Sequence, residues 1–362
     1  VDNSLLLSSG KVFPADLEAF CVEAMCRYGL REEDARLSAR IFVTNDTWGV
    51  HTHGTRQLRS LLKNFTIGRL DAMAVAEVVK DGPAFALIDG HNAMPPVTAH
   101  RAMMLAIDKA RRAGIGYVSV IHTSHFGAAG YYANLAAEQN MIGLAMCNAD
   151  PLVAVPGSRG RVLGTNPLAY AIPCGEEKPV FLDIATSATA ANKVIRAKAL
   201  GQPIPEGWIV DAEGMPTTDP SGFPQLGALV PMAGHKGYGL ALLIEVLCGV
   251  LTGAAIAMEQ PSWVPGLTPG ATDEPVNQGQ TFIAINVAAL MPLASFQARM
   301  DGLIRYIHAA PKARDAERVF VPGEMEWERR EAALQHGMVL PPDVMESLRG
   351  LAEDVGLAVS PH

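Results

Sequence analysis

Three stretches of the chain combine side chains that move protons with backbone that lets a ligand come close. The first runs Trp48-Gly49-Val50-His51-Thr52-His53-Gly54-Thr55-Arg56-Gln57-Leu58-Arg59 and gathers histidines, hydroxyls, glycines and arginines into one short segment. Histidine exchanges protons near neutral pH, its unperturbed pKa being about 6.5, so a His-Gly step bordered by hydroxyls is a candidate acid/base. The second, Ser124-His125-Phe126-Gly127-Ala128-Ala129-Gly130, follows an apolar run and opens a helix. Its small residues permit close backbone approach, and the free N–H groups of a helix start favour an anion. The third, Gly234-His235-Lys236-Gly237, begins an apolar helix and adds a cation. Two Gly-bearing helix starts with basic residues suit a pyrophosphate or a carboxylated ligand. The competing reading of each is a packing turn or a solvated cap.

The surrounding sequence must position these residues. The 362-residue chain is 49% hydrophobic and 18% charged, enough for a sizeable core in two or three lobes. A net charge of -8 without a basic stripe excludes a nucleic-acid binder. Residues 240–251 are the most apolar, but Glu245 interrupts them, and the uncharged run after it falls short of the roughly 18–20 residues of a membrane span. No signal-like segment opens the sequence. Five scattered cysteines without a Cys-x-x-Cys pair suggest reduced thiols and a cytoplasmic protein.

Helical spacing predicts helices over 14–28 and 31–46, leading into the first histidine segment, and a third over 57–65. Strands are expected at 84–90, 116–121, 142–147, 168–172, 180–183 and 281–287, with helices at 101–113, 131–140, 186–199 and 295–309. Residues 201–227 read as a long surface excursion, 235–252 as a buried helix, 261–279 as a second loop, and 327–336 and 341–355 as charged terminal helices. Alternating strands and helices give an α/β or α+β enzyme, flanked by helical segments at both ends.

Standard signatures are absent. No Gly-x-Gly-x-x-Gly follows a strand, no Walker lysine exists, and there is neither a Gly-x-Ser-x-Gly elbow nor a His-Glu-x-x-His helix. His51-x-His53 and His122-x-x-His125 have metal-ligand spacing, but neither has an obvious carboxylate companion to complete a zinc set. No metal is expected.

Six strings, in order, resemble the malate/L-lactate dehydrogenase family of NAD(P)-dependent oxidoreductases outside the Rossmann class. They are Thr52-His53-Gly54, Ser124-His125-Phe126-Gly127, Gly164-Thr165-Asn166-Pro167, Asp183-Ile184-Ala185-Thr186-Ser187, His235-Lys236-Gly237-Tyr238-Gly239 and Pro322-Gly323-Glu324. The resemblance covers roughly residues 15 to 340. It implies a mixed, largely antiparallel sheet in the cofactor domain, which would explain the missing Rossmann fingerprint, and a homodimer. Boundaries expected from it are a helical N-terminal segment (1–70) packing with a C-terminal one (310–362), a cofactor-binding α/β region (71–190) and a second lobe (191–309).

The resemblance also implies roles. His53 matches the family's acid/base, oriented by Thr52, and His125 a second active-site histidine. Cofactor contacts are implied for His125, Phe126, Gly127, Ala128 and Ala129, for Asp183, Ile184, Ala185, Thr186 and Ser187, and for His235, Lys236, Pro322, Gly323 and Glu324. Substrate contacts are implied for Thr165, for Lys193, which agrees with the hydroxyacid dehydrogenases, and for the segment after His53. Family members that hold a carboxylate with arginine often carry it four residues after this histidine; here the position is Gln57, flanked by Arg56 and Arg59. The expected activity is NAD- or NADP-dependent interconversion of a small 2-hydroxy acid and its 2-keto acid. The rival readings are a cyclic imino acid reductase, a metal-dependent hydrolase using His51 and His53, and a catalytically silent binding module.

Overall fold

The computed structural model describes residues 11–264 and 274–357. Three helices open it: α1 (Pro14–Arg27), α2 (Glu32–Thr47) and α3 (Leu58–Thr66). Between α2 and α3 the chain makes two single 3-10 turns, His51–His53 and Thr55–Gln57, so the first histidine segment is a tight elbow between helices. Then come β1 (Glu77–Asp81), β2 (Phe85–Asp89), α4 (Pro95–Ala113), β3 (Ile115–Thr123), α5 (Ala129–Ala137), β4 (Met141–Cys147), β5 (Leu168–Ile172) and β6 (Val180–Ile184). The rest comprises α6 (Ala191–Ala199), β7 (Ile209–Val210), β8 (Pro216–Thr217), β9 (Ala228–Leu229), α7 (His235–Glu245), β10 (Gln278–Asn286), α8 (Leu293–His308), α9 (Glu324–His336) and α10 (Pro342–Asp354).

The main sheet has seven strands in the order β1-β2-β3-β10-β4-β5-β6. Only β2 and β3 pair in parallel; every other neighbour is antiparallel. The expected mixed, largely antiparallel sheet is therefore present. β10 arrives late in the chain and slots between β3 and β4, bonding to both along its length. Phe282 and Ala284 on β10 are fully buried with Val118 and Val120 of β3, Ala145 of β4 and Tyr132 of α5. This core holds the ends of β3 and β4 in register, and those ends carry His125 and the Asn148–Asp150 turn.

A second core joins the two chain termini. Leu17, Phe20, Phe42, Leu58 and Leu61 of the N-terminal helices pack with Ala333, Leu348 and Leu351 of α9 and α10. The elbow carrying His53 is thus clamped between this helical core and the sheet, because Ile41 and Trp48 belong to the sheet core.

Four expectations need correction. The helix predicted from Arg101 starts at Pro95, with prolines at its first positions, where a missing N–H costs nothing. The helix predicted from Thr186 starts at Ala191, because Thr186 and Ser187 are tied to Thr165 and Pro231 in extended backbone. Residues 201–227 are no mere excursion: Ile204, Ile209 and Phe223 build a small core under the three-stranded sheet β8-β7-β9. The 235–252 helix is apolar but buried along one face only: Ala241, Ile244 and Cys248 are buried, whereas Leu240, Leu242, Leu243, Val246, Val250 and Leu251 are all exposed, and a π-helical turn over Val246–Val250 follows α7. Of the second loop, 265–273 lie outside the described residues.

Candidate active site

The elbow after α2 is built around a carboxylate. Asp46, in the last turn of α2, has no exposed side chain. It accepts hydrogen bonds from the Thr55 amide (2.9 Å), the Thr55 hydroxyl (2.7 Å) and His51 Nδ1 (2.9 Å). Gly54 lies against it so closely that a Cβ there would sit 2.2 Å from Asp46 Oδ1. Beside Asp46, Asn45 donates its amide to the His53 carbonyl at 2.9 Å. Two adjacent side chains of α2 thereby fix the backbone on both sides of His53.

The second histidine segment reaches the same point from the sheet. Gly127 adopts φ +87°, a left-handed conformation that favours glycine, and a Cβ there would meet Asn45 Nδ2 at 3.2 Å and the His53 carbonyl at 3.5 Å. The turn therefore closes directly onto the elbow. The imidazoles of His53 and His125 end with ring centroids 5.5 Å apart. His53 Nδ1 lies 3.0 Å from Thr52 Oγ. His125 Nε2 is hydrogen bonded to Gln57 Oε1, and its ring stacks on Trp263, with centroids 4.3 Å apart and planes 12° apart.

Burial pushes the His53 pKa down to about 4, helped by the nearby Arg56 charge. His125 is held well below the ordinary value, again chiefly by burial and then by His53. Both rings are neutral at pH 7 and able to accept a proton. Across the cleft, burial raises the Asp183 carboxyl to about 6 against the opposing hydrogen bond from the Gly130 amide, 2.7 Å long.

These residues line a cleft of about 660 Å³, within the roughly 300–1,000 Å³ range of small-molecule sites. It brings together Thr52, His53, Gln57, His125, Phe126, Gly127, Ala128, Ala129, Thr165, Asp183, Ala185, Pro322 and Gly323. Ile184, Thr186 and Ser187 flank it, Thr186 donating both its amide and its hydroxyl to the Thr165 carbonyl at 2.9 Å.

The structure does not bring the other expected site residues into the cleft. Arg56 turns to Asp343 at 2.8 Å. Arg59 makes a two-pronged pair with Asp354, at 2.7 and 3.0 Å. Both arginines thus serve the packing of α10. Lys193 lies with Nζ 6.0 Å from the Trp208 ring centroid. His235 and Lys236 are exposed at the start of α7, outside the cleft lining. Glu324 folds back to accept the Val321 amide at 2.9 Å and pairs with His308 at 2.7 Å. His51 is held by Asp46 and His122 by Asp89, each at 2.9 Å. Among the described residues, no three His, Cys, Asp or Glu side chains converge as a metal set would.

The cleft also contains Trp48, which opens the first histidine segment, and residues that the sequence reading passed over: Asp150, Trp263, Gln278 and Glu326. Trp263 sits in the segment read as loop, and Gln278 begins β10 three residues before the predicted strand start. No spacing pattern marks either.

A cleft between a helical elbow and a mixed sheet, with paired neutral histidines at one end and a small-residue wall, defines an oxidoreductase-type site outside the Rossmann class. The family model described as malate/L-lactate dehydrogenase matches residues 12–349. The malate dehydrogenase of Pyrococcus abyssi is 35% identical, covering 94% of each chain. The ureidoglycolate dehydrogenase (NAD(+)) of Escherichia coli is 31% identical, covering 93% of this chain and 95% of that one. The solved malate dehydrogenase of Pyrococcus horikoshii superposes with a TM-score of 0.87 at 33% identity, covering 97% of each chain. The chain belongs to the malate/L-lactate dehydrogenase family and is a dehydrogenase-type oxidoreductase.

Proposed function

We propose that the protein interconverts a small 2-hydroxy acid and its 2-keto acid with NAD or NADP, using His53 as the acid/base. The observation that carries this reading is the pair of neutral imidazoles at one end of the cleft, one of them set by a neighbouring hydroxyl. The cleft fits a nicotinamide dinucleotide. Its small wall at Ala128, Ala129, Ala185, Pro322 and Gly323 permits close backbone approach, and the indole N–H of Trp48, without a hydrogen-bond partner among the described residues, offers a donor. The turn from Phe126 to Ala129, Asp183, Ala185 and Pro322-Gly323 would hold the cofactor, which when bound supplies the hydride acceptor or donor.

In the oxidative direction His53 donates Nδ1–H to Thr52 Oγ, leaving its Nε2 lone pair to take the substrate hydroxyl proton. A pKa near 4 keeps that lone pair free at neutral pH. His125 donates Nε2–H to Gln57 Oε1, which leaves the Gln57 NH2 to meet the substrate carboxylate, with Thr165 beside it. Stacking on Trp263 holds the His125 ring. The decisive test is His53→Ala: kcat falls at least about 100-fold while Kd for NADH or NADPH stays within a few-fold. A collapse of cofactor affinity with kcat retained refutes the assignment.

Among the described residues no helix is long and apolar enough to cross a membrane, and all five cysteines are free. We read the protein as cytoplasmic. The exposed apolar face of α7 and the turn after it is read as the seat of a second copy of the chain, an apolar patch of this kind being costly to leave in water. Leu243→Asp lowers the mass measured by light scattering to that of the monomer. A mass unchanged from that of the unmodified protein places the interface elsewhere.

A further inference from the structure

The most apolar stretch of the chain, residues 240–251, contains a single charge, Glu245. It closes α7 on the inward face, and only 4% of it is exposed. Its Oε1 accepts the Asn148 side-chain amide (3.1 Å) and the Ala257 backbone N–H (2.9 Å), and its Oε2 accepts the Asn166 side-chain amide (2.7 Å). Each asparagine NH2 also donates to a backbone carbonyl, Asn148 to Ala255 at 2.8 Å and Asn166 to Ala241 at 3.0 Å. The two carboxamide oxygens therefore face away from Glu245. Asn148 Oδ1 accepts the Gly279 N–H at 2.9 Å, and Asn166 Oδ1 accepts the Ala149 N–H at 3.0 Å.

This chain of bonds ends in the cleft wall. Ala149, Asp150, Thr165 and Pro167 line the cleft, whereas Glu245, Asn148 and Asn166 stand behind them. The Ser262 hydroxyl donates to the Asp150 carboxylate, and its neighbour Trp263 carries the His125 ring, so the turn abuts the histidines. Asn166 has φ +28°, a left-handed backbone that a residue other than glycine keeps only where its surroundings hold it.

A buried side chain that faces three donors must be acceptor-only, which a carboxylate is and a carboxamide is not. Glutamine at 245 would keep one oxygen for Ala257 and Asn148 but set its own NH2 against that of Asn166. Turning the Asn166 carboxamide over would then present its NH2 to the Ala149 N–H, again donor against donor. The carboxylate thus dictates which way Asn166 points, and with it the seat of the Ala149–Asp150 turn.

We propose that Glu245 is a positioning residue: through Asn166 and Asn148 it holds the Ala149–Asp150 and Thr165 parts of the wall against the keto acid, without holding the cofactor. The effect on the keto acid rests on the 2-hydroxy acid reading above. The cofactor wall, at Phe126 to Ala129, Asp183 and Pro322-Gly323, is carried by other elements.

The test is Glu245→Gln, a near-isosteric change made in the full chain. Hydrogen–deuterium exchange, read by mass spectrometry, follows the backbone amides of Ala149, Gly279 and Gly130. The Ala149 amide exchanges at least about 10-fold faster, while Gly279, on the side the glutamine oxygen still serves, and Gly130, held by Asp183, stay within about threefold. In turnover of pyruvate, oxaloacetate and phenylpyruvate, KM for the accepted keto acid rises at least about 10-fold, with kcat and the Kd for NADH or NADPH within about threefold. An Ala149 amide that exchanges no faster, or a rise shared equally by all three amides, overturns the positioning role. Localised exchange with KM unmoved, or with cofactor affinity falling as far as KM rises, overturns the link to the keto acid. If the unmodified protein turns over no keto acid, the 2-hydroxy acid reading fails, and the exchange rates still decide whether Glu245 holds the turn. Should Glu245→Gln not fold, Asn166→Gly removes the carboxamide and leaves the left-handed backbone unstrained. The same rise in Ala149 exchange and in KM is expected of it, and the absence of both overturns the proposal.

Discussion

The carboxylate of Asp46 can be tested through the glycine that touches it. In Gly54→Ala the new methyl would sit 2.2 Å from Oδ1, 2.5 Å from Cγ and 2.8 Å from Oδ2. Asp46 has no exposed surface into which to retreat, so the carboxylate must release donors. Losing two charge-assisted hydrogen bonds at about 1.5–3 kcal/mol each sets the cost at about 3–6 kcal/mol. Asp46→Ala costs a similar amount, because the Thr55 amide and hydroxyl lose their acceptor. The two losses are not independent. Once Asp46 is alanine, the methyl at position 54 enters vacated space, and adding Gly54→Ala costs less than about 1 kcal/mol. Guanidinium unfolding of all four proteins should therefore give a coupling energy of about 2–5 kcal/mol. Activity does not return in the double variant, since His51 and Thr55 remain unheld. Costs that add to within about 0.5 kcal/mol refute the contact as the reason for glycine at this position.

Three further outcomes follow from the same geometry. Arg59→Ala removes the pair with Asp354 and costs about 1 kcal/mol, since both side chains are partly in water, yet leaves KM for the keto acid within about threefold. A rise in KM of tenfold or more would return Arg59 to the substrate. Asp183 has a carboxyl raised to about 6 from 3.8, so its contribution is favourable at low pH and is lost as pH rises through about 6, at most about 3 kcal/mol. Asp183→Asn keeps an acceptor for the Gly130 amide and raises Tm at pH 8 more than at pH 4.5. An equal change at both pH values overturns that account. His53 works in the opposite sense: its depressed pKa leaves stability intact above about 6.5 and removes it as pH falls through about 4. His53→Gln therefore shows the shallower acid unfolding limb. A limb identical to that of the unmodified protein refutes it.

Much of this was legible in the sequence, but unevenly. Periodicity located the helices at both termini and most of the sheet strands because each has one buried face. It missed β1, all five of whose residues are exposed, so no alternation exists to read. It took α7 for a buried helix because composition reports apolarity and not which neighbour covers it. The histidine elbow was legible as chemistry, since His53, Thr52 and Gln57 lie in one short string, and the turn at His125 was legible as a close-approach motif. Asp46 was not: its partners lie beyond the helix end, and its burial depends on Gly54. Nor could sequence show that Arg56 and Arg59 face α10, about 290 residues later (Asp343 and Asp354). Trp263, Asp150 and Gln278 meet only through tertiary packing.

The late arrival of β10 has a consequence for how the protein is made. Until residues 278–286 leave the ribosome, β3 and β4 have no strand between them, and each presents an unpaired edge built largely of apolar residues. The Asn148–Asp150 turn lacks the Gly279 amide and Gln278 side chain that pin it. More than three quarters of the chain must therefore be synthesised before the cleft can exist, and contacts this distant in sequence form slowly. The interval during which those edges stay open is a window for misassembly. A chain ending before Gln278 would keep the elbow histidine and the turn histidine yet lack the strand that completes the sheet beneath the site.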